Sequence, residues 1–200
     1  MLKKIIFSEL GGPEVLNYIN YSLPSAPPEK HIRIKHNAIG LNFIDTYFRR
    51  GVYPVPGPLP VCPGIEAAGI ITAVGKGVEG LEVGDRVCYA SPPLGAYCEE
   101  RDFPDNKIVK TPDSIGDDDA ASILLQGMTV EYLFNRLYQV KENQYVLFHA
   151  AAGGVGLVAC QWARALNCNL IGTVGSDKKG ELAKLNGCKV VASTGSDEKV

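Results

Sequence analysis

The chain has 200 residues, with 20 Lys and Arg against 22 Asp and Glu and a formal net charge of −2. At 46% hydrophobic content it can bury a core as an ordinary soluble globular protein, and the near-balanced charge argues against nucleic acid or an anionic membrane as partner. No segment approaches the roughly 20 apolar residues that cross a bilayer, and the apolar run in "MLKKIIFSEL" is too short for a secretion signal, so a cytoplasmic protein is expected.

Short candidate strands lie at residues 4–7, 31–39, 67–74 and 86–89. They are separated by Gly/Pro clusters such as "LGGPEV", "YPVPGPLPVCPG" and "GKGVEGLEVGD". In His31-Ile32-Arg33-Ile34-Lys35 the residues alternate, as in a sheet with one wet face. Many short strands with such turns predict an antiparallel barrel or sandwich. From residue 114 the texture changes. Ser114 or Asp117 can cap a helix whose positive end Asp117, Asp118 and Asp119 complement, a better reading of the acidic triplet than metal binding. A second helix is expected over residues 128–138.

Residues 144–148, "QYVLF", have the length of a buried parallel strand. The following turn spaces Ala151-x-Gly153-x-x-Gly156, a dinucleotide fingerprint with Ala for its first glycine. Gly153 lets a pyrophosphate approach the backbone, and Gly156 lets the helix pack close on the strand. Helical periodicity runs over residues 156–166, and Asn167 supplies a left-handed stop. Residues 169–175 read as the next strand, completing a right-handed βαβ unit with a phosphate site at the helix N-terminus. The second strand ends in Gly175 and Ser176, followed by Asp177, Lys178 and Lys179. A hydroxyl and a lysine suit a ribose 2′-phosphate, which favours NADPH over NADH, although Asp177 and a solvated helical turn offer the opposite reading.

The six cysteines form no C-x-x-C pair and no zinc-type spacing with His, so free buried or half-buried thiols in a reducing compartment are expected. His31, His36 and His149 read as structural or solvent-facing, since no Ser/His/Asp or Cys/His triad is legible.

The stretches "NAIGLNFIDTYFRRGVYP", "PGIEAAGIITAVG", "GDRVCY", "LQGMTVEYL" and "HAAAGGVG" together resemble the medium-chain dehydrogenase/reductase superfamily, and more narrowly its zinc-free NADPH-dependent quinone oxidoreductases, the zeta-crystallin-like branch. The resemblance implies a β-rich GroES-like substrate domain over residues 1–124 and an incomplete α/β Rossmann-type domain over residues 125–200, with a cofactor cleft between them. It implies substrate or oxyanion contacts from Asn42, Tyr47 and Tyr53, although either tyrosine could equally be a packed ring. The nicotinamide ribose would lie beside Phe43, Ile44, Asp45, Thr46 and Tyr47, approached also by Thr129 and Tyr132. Gly153, Gly154, Val155 and Gly156 would hold the pyrophosphate, and Gly175, Ser176 and Lys179 the 2′-phosphate. Thr194 stands where relatives carry a tyrosine near that phosphate. Zinc-dependent relatives have a Cys ligand at the position of Asn42 and a His at that of Ile65; neither residue here is a competent zinc ligand, so no metal is expected. Without a Lewis acid, a quinone or enone is the fitting hydride acceptor, because conjugation spreads the developing charge.

Candidate parallel strands at 145–148, 169–174 and 189–192 make one half of a doubly wound sheet. The chain is therefore expected to be a truncated product or fragment, with one exposed sheet edge and weak or no turnover in isolation. The dimer expected of the full-length family member is left open for this chain. The alternatives are an enone or alkenal reductase and, for the isolated chain, a non-catalytic NADPH-binding module; a purely structural protein would have no cofactor affinity.

Overall fold

The computed structural model describes residues 1–193. They divide into two compact units, Met1–Leu125 and a second beginning at Gln126. In the first, β1 (Leu2–Phe7) and β2 (Leu16–Tyr21) form an antiparallel hairpin in register from Leu2 opposite Tyr21 to Phe7 opposite Leu16. A five-stranded antiparallel sheet follows, built from β3 (His31–Gly40), β4 (Glu66–Val74), β5 (Arg86–Ala90), β6 (Glu100–Pro104) and the two-residue β7 (Val109–Lys110) in the order β6-β3-β4-β5-β7. Isolated bridges from Lys4 to Cys98 and from Phe7 to Val61 tie the hairpin to segments of the larger sheet's connections.

The alternation read in β3 is borne out: Ile32 and Ile34 are fully buried, while Arg33 turns away to a two-bonded ion pair with Asp102 of β6 (2.8 and 3.1 Å). Ile32, Ile34, Ile71, Val87, Tyr89 and Phe103 make the core, with the Tyr89 and Phe103 rings stacked at 4.1 Å. Register shifts between Arg33 and Ile34 and between His36 and Ala38 bend β3. Strands β2, β6 and β7 exceed the sequence expectation. Asn and charged residues interrupt the apolar pattern of "LNYINY" and "ERDFP", and only pairing across the sheet makes these segments strands.

A short helix, α1 (Phe43–Arg49), follows β3, and α2 (Asp117–Glu131) leads from one unit into the next. Where two helices are expected, α2 passes without a break into a π-helical turn, Tyr132–Leu137; Gly127 lies within α2 and does not stop it. The second unit holds a parallel sheet of β8 (Tyr145–Phe148), β9 (Asn169–Val174) and β10 (Val190–Ser193) in the order β10-β9-β8. The crossover helices are α3 (Gly154–Ala165) and α4 (Asp177–Leu185). Ala159, Cys160 and Ala163 of α3 are fully buried against Leu170 and Val174 of β9, and Asn167 takes the expected left-handed conformation with φ 53°. Among the described residues β8 pairs only with β9, and Tyr145 and Leu147 of β8 are exposed.

Candidate cofactor and substrate site

In the second unit the Gly-rich turn has the geometry of an anion cradle. Gly153 is the N-cap of α3, and the helix's first bond runs from the Leu157 N–H to the Gly153 carbonyl (2.8 Å). The amides of Gly154, Val155 and Gly156 precede that bond at the positive end of the helix. Gly156 is dictated by packing: a Cβ there would lie 2.4 Å from the Ala150 carbonyl oxygen and 2.6 Å from the Ala151 carbonyl carbon. A cavity of about 140 Å³ opens beside the turn, lined by Ala150, Ala152, Gly153, Val174, Gly175 and Lys179. Three residues expected to hold phosphates therefore line one depression. Among the described residues a Cβ on Gly175 would meet nothing within 4 Å, so none of them demands glycine there. Ser176 is the N-cap of α4 in extended conformation, yet its hydroxyl makes no capping bond. A glycine wall, an uncommitted N-cap hydroxyl and a lysine fit the phosphates of a dinucleotide.

Thr129 on α2 and Tyr132 at the start of the π-helical turn are three residues apart, half-buried and exposed respectively. Gln126, which the sequence reading passed over, would touch a Cβ on Gly154 with its side chain at 3.5 Å. His149 is exposed and shares a hydrogen bond with the Thr173 hydroxyl (3.0 Å). Thr194 lies outside the described residues.

In the first unit, α1 presents the other candidates. Asn42 is its N-cap, and Asp45 Oδ2 accepts from the Asn42 backbone N–H (3.0 Å), the returning arm of a capping box. Asp45 faces inward, 5% exposed, and its Oδ2 also accepts from the Tyr97 hydroxyl (2.9 Å); its Oδ1 is buried without a hydrogen bond. Burial pushes its pKa up against those two bonds. Phe43, by contrast, is 81% exposed. Ile44 and Thr46 are half-buried, and the Thr46 hydroxyl bonds back to the Phe43 carbonyl (2.7 Å). The Tyr47 and Tyr53 rings meet edge to face at 5.4 Å and are both partly exposed, so the structure brings this expected pair together.

Asn42 Nδ2 donates to Glu66 Oε2 (2.7 Å), and Glu66 Oε1 accepts from the Leu125 backbone N–H (2.7 Å). Glu66 is fully buried, and burial raises its pKa despite these donors. Its role as an internal hydrogen-bonding anchor is thus visible. Gly40 permits the approach, since a Cβ there would be 2.3 Å from the Ala121 carbonyl oxygen and 2.5 Å from Glu66 Oε2. Ile65 is a core residue, 4% exposed. Among the described residues no cluster of three His, Cys, Asp or Glu side chains is placed to hold a metal, and no helix is long and apolar enough to cross a membrane.

The sequence pattern of the alcohol dehydrogenase GroES-like domain matches residues 28–146. The chain belongs to this family. A quinone oxidoreductase of Pseudomonas aeruginosa is 51% identical over 187 residues, which are 94% of this chain and 57% of that protein. The Escherichia coli quinone oxidoreductase, solved in complex with NADPH, superposes with a TM-score of 0.94 at 46% identity, covering 98% of this chain and 60% of the other. A 2-haloacrylate reductase of Burkholderia is 42% identical over 192 residues, 94% of this chain and 57% of the relative. The chain thus spans a little over half the length of these relatives. The GroES-like unit and the partial parallel sheet both match the architecture expected from the sequence.

Proposed function

We propose that this chain carries the adenosine- and phosphate-binding part of an NADPH-dependent quinone reductase, with residues 1–124 as the substrate domain and residues 125–200 as the cofactor domain. The reading rests chiefly on one observation: Gly153, Gly175 and Lys179 line a single cavity at the positive end of α3. The E. coli relative solved with NADPH and the quinone oxidoreductase of P. aeruginosa support the choice of cofactor and acceptor.

When bound, NADPH supplies a hydride, a proton with its electron pair, to a conjugated carbonyl. The amides of Gly154, Val155 and Gly156 hold the pyrophosphate, and Ser176 and Lys179 bind the 2′-phosphate that separates NADPH from NADH. The Tyr47 and Tyr53 hydroxyls donate to the oxygen on which negative charge develops as the hydride arrives. Asn42 holds Glu66 and caps α1, so it orients the helix that carries Tyr47. With Ile65 and Asn42 where zinc-dependent relatives carry His and Cys, the reaction proceeds without zinc.

A second reading, reduction of a halogenated or other activated alkene, is favoured by the 2-haloacrylate reductase among the relatives. Following NADPH consumption with 1,4-benzoquinone and with 2-chloroacrylate separates the two. Turnover of benzoquinone supports the first reading, and turnover of chloroacrylate alone overturns it. Tight NADPH binding with neither acceptor consumed would make the chain a nucleotide-binding module.

A further inference from the structure

Two thiols in the first unit are placed together by strand pairing rather than by sequence. β1 binds both of their segments along one edge, Cys98 through the bridge to Lys4 and Val61, next to Cys62, through the bridge to Phe7. The Tyr97 N–H donates to the Pro63 carbonyl (3.0 Å), closing the two segments on each other. The Cys62 thiol donates to the Tyr97 carbonyl (3.4 Å), one residue before Cys98, and the two thiols influence each other's ionisation.

The surroundings of Cys98 favour a thiolate. Its sulfur is 3.9 Å from His36 Nδ1, and the Arg101 guanidinium contributes positive charge. The neighbouring Cys62 thiol, then His36 and Arg101, hold Cys98 down to about 5, while Cys62 is pushed up by Cys98 and by burial. In the neutral form the Cys98 S–H has the Gly95 carbonyl as acceptor (3.1 Å). Although Cys98 is only 5% exposed, it lines a cavity of about 390 Å³ with Lys3, Lys4, Ile5, Tyr18 and His36, ample for a small oxidant. The remaining cysteines differ. Cys160 and Cys188 also interact, but they lie within the core of the second unit, and burial drives Cys160 up to about 11. Burial also raises Cys88 and Cys168.

We propose that Cys62 and Cys98 are an oxidisable thiol pair that hydrogen peroxide converts to a disulfide, with Cys98 attacking and Cys62 resolving. The Cys98 thiolate attacks one peroxide oxygen; the S–O bond forms, the O–O bond breaks, and the second oxygen leaves as water after taking up a proton. The Cys62 sulfur then attacks the Cys98 sulfenic sulfur. The S–S bond forms, the S–O bond breaks, and the departing hydroxide takes the Cys62 proton to leave as water. Two thiols lose two electrons and one peroxide becomes two waters. The pair adjoins Tyr97, whose hydroxyl holds Asp45 at the start of α1, so the new bond forms against the segment that positions that helix.

The test uses the 200-residue chain, reduced, freed of reductant and exposed to hydrogen peroxide, then alkylated under denaturing conditions and mapped by mass spectrometry. The expected product is a Cys62–Cys98 cross-linked peptide that reductant reverses, with the other four cysteines still alkylated. In Cys62→Ser, dimedone is expected to label Cys98 several-fold above any other cysteine, and in Cys98→Ser no adduct rises above that background. Oxidation spread evenly over the six cysteines, a Cys160–Cys188 bond in place of the expected one, or no oxidation of wild type would each overturn the proposal. The wild-type result decides even if a variant fails to fold.

Discussion

Gly175 and Gly156 line opposite sides of one physical question, and alanine at each gives opposite outcomes. At Gly175 the added methyl meets nothing within 4 Å among the described residues, and the backbone is not in the left-handed region. Removing glycine's excess freedom in the unfolded chain then stabilises by about 0.4–1 kcal/mol, which for a chain of this size raises Tm by about 1–4 °C. The same methyl sits on the wall of the 140 Å³ cavity, so a bound phosphate must shift. Overpacking of about 1–3 kcal/mol corresponds to a loss of NADPH affinity of roughly 5- to 150-fold. At Gly156 the methyl would be 2.4 Å from the Ala150 carbonyl oxygen, so backbone must move and stability falls by about 1–3 kcal/mol or more. Thermal melts without ligand, paired with NADPH titration of each variant, read both effects. If Gly175→Ala melts as low as Gly156→Ala, or binds NADPH like wild type, the cavity is not the phosphate site.

Tyr97→Phe removes one of the two donors to Asp45 Oδ2 and should lower the urea-derived stability by about 1–3 kcal/mol; an unchanged midpoint would mean that bond contributes nothing. The folded-state pKa values of Glu66 and Asp45 are both raised by burial, so the folded chain holds these protons more tightly than the unfolded one. Their contribution to stability is full below the unfolded values of 4.5 and 3.8 and is lost as pH rises through the folded values. Glu66→Gln should accordingly flatten the decline in urea midpoint above pH 4.5, and a profile parallel to wild type would assign that decline elsewhere. Tyr47→Phe and Tyr53→Phe should slow quinone reduction about tenfold or more while leaving the KM for NADPH and the melting temperature in place; a change confined to melting would make the hydroxyls structural.

Local chemistry carried the second unit. The spacing of Gly153 and Gly156, the left-handed Asn167 and the strand lengths around them are short-range constraints, and each is met in the structure. The first unit was less legible because its decisive contacts are long-range. Asp45 meets Tyr97 across 52 residues, and Cys62 meets the Tyr97 carbonyl across 35, with no periodicity to announce either. β6 reads as polar because Arg101 and Asp102 spend their charge on pairing: Asp102 binds Arg33, and Arg101 lies over the Phe103 ring at 4.7 Å. The inward turn of Asp45 also shows the limit of carrying a stretch over as a whole. Asp45 belongs to the packing of α1, whereas Phe43, Tyr47 and Tyr53 offer exposed surface.

Titration of the chain with NADPH and with NADH, followed by calorimetry, decides whether the cavity beside Gly153 and Lys179 takes a 2′-phosphorylated nucleotide. Saturable binding with NADPH favoured at least tenfold is expected, with loss of that preference in Lys179→Ala and Ser176→Ala. Equal affinity for the two nucleotides, or no binding of either, would contradict the assignment of this cavity to the 2′-phosphorylated cofactor.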